Sequence, residues 1–166
     1  MPTPKTPCRL ARAAHELMVA RAEADFPEET CGFVFGPADS DTITGVPMET
    51  VVPMENIQNR LHAEDPKVHP RDAKTAYCFD PIKMQQVLDE NEAAGHVLRG
   101  IYHSHPDHDA YFSQTDSAAA APFGEPSYPG AVYLVYSVKS GSLAAVKAFD
   151  WSDDEKSFVE VTLEIV

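Results

Sequence analysis

The chain has 166 residues, 43% of them hydrophobic, and carries 26 acidic against 13 basic residues for a formal net charge of −13. That length suits one domain over residues 1–166 with a core of its own, and no run approaches the roughly 18 apolar residues of a membrane span. The acidic excess, without a basic cluster, repels phosphate backbones and excludes nucleic acid as a partner, while no apolar leader and three cysteines without CxxC spacing predict a reducing cytoplasm.

Thr6-Pro7 reads as an N-cap followed by proline at the first helical position. Leu10, Ala14, Leu17 and Met18 recur at helical spacing, which predicts an amphipathic helix over 8–24. CGFVF at 31–35, closed by Gly36-Pro37, predicts a buried strand. Residues 42–54 carry Ile43, Val46, Val51 and Val52 among prolines, a pattern for one or two irregular strands. From 55 to 76 the chain is polar and reads as a long loop of the kind that often carries function. Asp80-Pro81 repeats the cap-plus-proline signal and opens a helix, marked by Met84, Val87 and Leu88, that stops at Gly95.

HVLRGIYHSH at 96–105 reads as a strand ended by Pro106. Ser113-Gln-Thr-Asp116 before SAAAA reads as a capping box that starts a helix, with aspartate where glutamate is usual. AVYLVYSV, a KSGS turn, LAAVKAFDW and SFVEVTLEIV follow as three strands, the first two a hairpin. The order α-β-β-α-β-α-β-β-β predicts an α/β fold, a mixed β-sheet flanked by helices.

HSHPDH at 103–108 fits two metal patterns. Read through Asp107 and His108 it matches HxHxDH, the signature of the metallo-β-lactamase superfamily. That pattern needs later ligands, and the chain has no histidine after His108 and no cysteine after Cys78. The second pattern skips Asp107 and His108. In a strand His103 and His105 project from one face, about 6.6 Å apart along the backbone. Residues 106–112 turn the chain back, so Asp116, in the first turn of the next helix, can present its carboxylate to the same point. Two histidines, one carboxylate and a water make a tetrahedral zinc site with one exchangeable position. With Ser113 as N-cap, one Asp116 oxygen can bind metal while the other accepts a hydrogen bond. The same donor set also serves non-haem iron oxygenases.

His103-x-His105-Pro with Ser113-x-x-Asp116 resembles the HxH…SxxD motif of the JAMM (MPN+) metalloproteases. Pro27-Glu28-Glu29-Thr30-Cys31-Gly32 resembles their upstream P-x-E-x-C-G context, and Ser-Tyr-Pro-Gly at 127–130 resembles the segment after their metal helix. The likeness covers about residues 8–150. It implies a mixed-sheet MPN fold and one zinc ion held by His103, His105 and Asp116. It implies Glu29 as the base that deprotonates water and then protonates the leaving amine, and Ser113 as donor to the oxyanion. It further implies a peptidase or isopeptidase that cuts the C-terminal tail of a ubiquitin-like protein. The compact loop after the Ser113–Asp116 helix, with no downstream His or Cys for a second zinc, is similar to small bacterial members that trim ThiS/MoaD-type sulfur carriers. Relatives that keep the fold only as a scaffold usually lack the ligands, which are all present here. Cys31 is expected to be a small apolar strand residue, and Asp107, His108 and Asp109 to line the rim. Nothing in the sequence indicates an oligomeric state.

Overall fold

The computed structural model describes residues 7–37 and 47–166. The Thr6 cap and the positions Ile43 and Val46 lie outside the described residues. In chain order the elements are β1 (Cys8–Leu10), α1 (Arg12–Asp25), β2 (Cys31–Pro37), β3 (Thr50–Met54), α2 (Gln58–Glu64), α3 (Pro81–Ala93), β4 (His96–Pro106), α4 (Gln114–Ala120), β5 (Val132–Lys139), β6 (Ser142–Ser152), β7 (Ser157–Val161) and β8 (Leu163–Ile165).

Six strands form one mixed sheet in the order β3-β2-β4-β5-β6-β7, and β1 pairs with β8 separately. Within the six, β4 and β5 run parallel and the other neighbours antiparallel. A parallel pair needs a crossover, and the segment between β4 and β5 supplies it and carries α4. Side chains alternate across the sheet. Val34, Tyr102, Leu134 and Tyr136 pack on one face with Leu10, Ala14, Met18 and Ala22, the latter three from α1. Phe33, Phe35, Ile101, Tyr133, Val135 and Phe149 pack on the other, where Met84, Val87 and Leu88 of α3 join them. Because both faces are covered, β2 and β5 read as unbroken apolar runs rather than alternating ones. Ile101, His103 and His105 point to the α3 side.

The mixed α/β architecture is as the sequence predicts. Asp80 caps α3 by accepting from the Ile82 and Lys83 amides, and Gly95, at φ 83°, ends it. Three local expectations differ. The first helix begins at Arg12, and Cys8–Leu10 is a strand parallel to Leu163–Ile165. The Leu10 carbonyl accepts from the Val166 amide at 2.9 Å, which commits that backbone to a ladder. SFVEVTLEIV breaks at Thr162 into β7 of the main sheet and β8. The long loop at 55–76 holds the two-turn helix α2.

One close approach shapes the sheet beside the site. A Cβ at Gly32 would lie 2.6 Å from the Cε1 and Cζ atoms of Tyr102, whose ring is fully buried. Only glycine lets that ring cross β2.

Candidate metal centre and its cavity

The antiparallel pairing of β2 with β4 sets Cys31 opposite His103. Just outside the ladder, the Ser104 amide donates to the Thr30 carbonyl at 3.1 Å, and the Thr30 amide donates to Ser104 Oγ at 2.7 Å. Glu29 is thereby brought beside the end of β4, although 74 residues separate it from His103. The Glu29 amide donates to the Ala73 carbonyl at 2.7 Å, and its carbonyl accepts from Asn56 Nδ2 at 3.0 Å. Glu28, by contrast, is exposed and accepts from Asn59 Nδ2.

His103 is fully buried and His105 nearly so. Their Nε2 atoms lie 3.1 Å apart. Asp116 Oδ2 lies 3.2 Å from His103 Nε2 and 3.3 Å from His105 Nε2. Donors about 2.0–2.1 Å from a tetrahedral ion are roughly 3.3–3.4 Å from one another. The three atoms therefore already stand near the separations an ion would impose, and the group could hold a metal. His105 Nδ1 is 2.9 Å from the Asp109 carbonyl. Donating there, the ring keeps its Nε2 lone pair for a ligand. His103 Nδ1 has no hydrogen-bond partner among the described residues, and its ring stacks on Tyr77, centroids 4.6 Å apart.

Asp116 is placed by the capping box. Ser113 Oγ accepts from the Asp116 amide at 3.0 Å, and the Ser113 amide donates to Asp116 Oδ2 at 3.1 Å. The oxygen that accepts from the Ser113 amide, Oδ2, is also the one that faces the two imidazoles. Burial pushes the Asp116 carboxyl up, but His103, His105 and the Ser113 amide outweigh it and hold it well below the usual carboxylate range. Burial lowers the His103 imidazole against the pull of Asp116.

Glu29, His105, Ser113 and Asp116 line one cavity of about 480 Å³. Burial first, then the negative charge of Asp116, pushes the Glu29 carboxyl up to about 9, with Arg71 opposing. Phe79, Met84, Ile101, Tyr128 and Tyr133 add apolar wall to the same cavity. Asp107, at φ 58°, instead accepts from the Ser140 amide, and Asp109 pairs with Lys139 at 2.6 Å. Both aspartates thus turn to the β5–β6 hairpin, so HxHxDH has no geometric counterpart, while His108 does line the cavity. Cys31 is buried, and burial followed by the charge of Glu29 pushes its thiol far up, which suits a small apolar residue and not a nucleophile.

The sequence gives no warning of Tyr77 or Arg71, which also line the cavity. Both sit in a segment stitched down by amides around the start of α2. Asn56 Nδ2 donates to the Ala76 carbonyl, Gln58 Nε2 to the Arg71 carbonyl, and the Ala73 amide to Asn59 Oδ1. The cluster Asn56-Ile-Gln-Asn59 is the only trace of this in the sequence.

Residues 11–152 match the family described as prokaryotic homologs of the JAB domain. The chain is 33% identical over 143 residues to a desampylase of Haloferax volcanii, covering 86% of this chain and 84% of that protein. It is 32% identical over 122 residues to a CysO-cysteine peptidase of Mycobacterium tuberculosis, covering 74% of this chain and 67% of that protein. A solution structure from Desulfitobacterium hafniense shares the fold, with a TM-score of 0.69 and 23% identity over 96% of this chain and 92% of that one.

Proposed function

This chain belongs to the family of prokaryotic JAB-domain homologs and is a JAMM-type peptidase; on that premise we propose that it is a zinc-dependent enzyme that hydrolyses a peptide or isopeptide bond at the C-terminal tail of a ubiquitin-like protein. The substrate class is a ThiS/MoaD-type sulfur carrier, the location cytoplasmic, and residues 1–166 act as one domain. The observation that carries this is a His-His-Asp donor group, two of whose members, His105 and Asp116, line one cavity with a buried carboxyl, Glu29. Kinship with a desampylase and a CysO-cysteine peptidase supports the substrate class. Free cysteines at 8, 31 and 78 suit a reducing compartment, and no described helix is long and apolar enough to cross a membrane.

His103 Nε2, His105 Nε2 and Asp116 Oδ2 would hold one zinc ion, which when bound supplies the Lewis acidity that acidifies water and polarises a carbonyl. Glu29 takes a proton from the attacking water and passes it to the nitrogen of the leaving amine as the C–N bond breaks. Its burial disfavours the carboxylate, which makes it a stronger base when ionised. Ser113 Oγ accepts from the Asp116 amide, so its own proton remains for the oxyanion. The apolar wall excludes bulk water and strengthens each of these interactions.

Ser113→Ala is expected to lower kcat by about 10²–10³-fold and to cost about 1 kcal/mol of stability through loss of the cap. Ser113→Thr, which keeps cap and hydroxyl, should recover most of the stability in thermal melts and part of kcat. The proposal itself is tested by mass spectrometry of a sulfur carrier with an extended tail, incubated with the protein with and without a chelator. Cleavage beyond Gly-Gly that stops with chelator and returns with zinc is the expected result. Stoichiometric iron with oxygen-dependent turnover, or no cleavage of any extended carrier, would overturn it.

A further inference from the structure

Arg71 lines the cavity with Glu29 and His105, and its charge reaches the Glu29 carboxyl. Its side chain is exposed, and its one acceptor among the described residues is the Thr75 carbonyl, 3.5 Å from Nη1. No carboxylate of the described residues lies within ion-pair distance of it. In a chain with twice as many acids as bases, a cavity-lining arginine with no described carboxylate at ion-pair distance is conspicuous. Its backbone is not loose. The Arg71 carbonyl accepts from Gln58 Nε2 at 2.9 Å, and two residues on the Ala73 carbonyl accepts from the Glu29 amide. The position of Arg71 is thus tied to that of Glu29.

We propose that Arg71 is a specificity residue that receives the free carboxylate of the leaving group. The preferred scissile bond then joins the carrier tail to a single amino acid bearing an α-carboxylate, and not to the side-chain amine of a lysine inside another protein. This rests on the peptidase function proposed above. A planar guanidinium suits a carboxylate because it can donate two parallel hydrogen bonds. In an amino-acid leaving group that carboxylate is two bonds from the nitrogen that Glu29 protonates, so one cavity can serve both. A lysine side-chain amine carries no carboxylate at that distance.

The test uses a ThiS-type carrier extended beyond Gly-Gly by one alanine, prepared as the free acid and as the carboxamide. The wild-type protein is expected to favour the acid by about 10- to 100-fold in kcat/KM, the effect of losing one hydrogen bond between charged groups. In Arg71→Gln the acid-to-amide ratio falls to about 1, chiefly through KM for the acid, and Arg71→Lys keeps part of it. The ratio does not depend on how much of the variant is folded. A wild-type ratio near 1, or an Arg71→Gln ratio equal to that of the wild type, overturns the assignment. The latter, with an altered pH profile, would mean that Arg71 acts only through Glu29. If the wild type cleaves neither carrier, the peptidase function falls and the assignment with it.

Discussion

Glu29→Gln is expected to lower kcat by about 10²–10⁴-fold, the range that one general acid–base group contributes, while zinc content stays at one ion per chain. Glutamine fills the same space and can still hydrogen-bond, but it can neither take the proton of water nor return it to the amine. The backbone bonds that seat residue 29, to Ala73 and Asn56, do not involve the side chain and persist. The same substitution has an opposite effect on stability. In chelator-stripped protein the folded carboxyl holds its proton up to about pH 9, against an ordinary value of 4.5. Between those values the folded state binds more protons than the unfolded state, so stability falls as pH rises through the window. Glutamine, which never ionises, escapes that loss. Stripped Glu29→Gln should exceed the stripped wild type by at least ~1 kcal/mol in urea unfolding at pH 8, and the gap should shrink toward pH 4.5. An active Glu29→Gln, within tenfold of wild type, would remove the residue from the chemistry.

Asp116→Asn is the second large effect. An asparagine oxygen can still accept from the Ser113 amide, so the start of α4 survives. The negative charge facing two imidazole nitrogens is lost, and so is the anionic donor of the proposed zinc site. Zinc affinity is expected to fall by more than the ~10–100-fold that removing a ligand's outer partner costs, and activity should disappear at equimolar zinc. Melting curves give a readout independent of turnover. A ligand at 100 times its Kd adds about 2.7 kcal/mol, which for a domain of this size raises Tm by roughly 5–10 °C. Zinc should produce that rise in the wild type and little in Asp116→Asn. Equal rises would show that the ion binds elsewhere.

The candidate site was legible where its geometry is local. His103 and His105 share a strand face because strands have period two, and Ser113 with Asp116 form a helix start that obeys capping rules. Both follow from adjacent residues. Glu29 could be named only through the resemblance, because a β2–β4 pairing across 74 positions places it. Long-range pairing also explains the misread beginning of α1. Leu10 falls on the helical spacing of Ala14 and Met18, yet its partner strand lies some 150 residues away, and no local pattern records that. Tyr77 and Arg71 were invisible for the same reason, since side-chain amides from another element fix them. The core was easier: runs such as CGFVF and AVYLVYSV need two covered faces, and two covered faces they have.

The two hydrogen bonds between Thr30 and Ser104 have an outcome beyond local order. A slip of β4 by one residue against β2 would flip every side chain to the opposite surface, turning both imidazoles toward α1 and stranding Glu29. Hydrolytic competence and correct strand alignment are therefore acquired in the same event. A chain with β4 out of register would carry the same side chains without bringing Glu29 and the two imidazoles to one place.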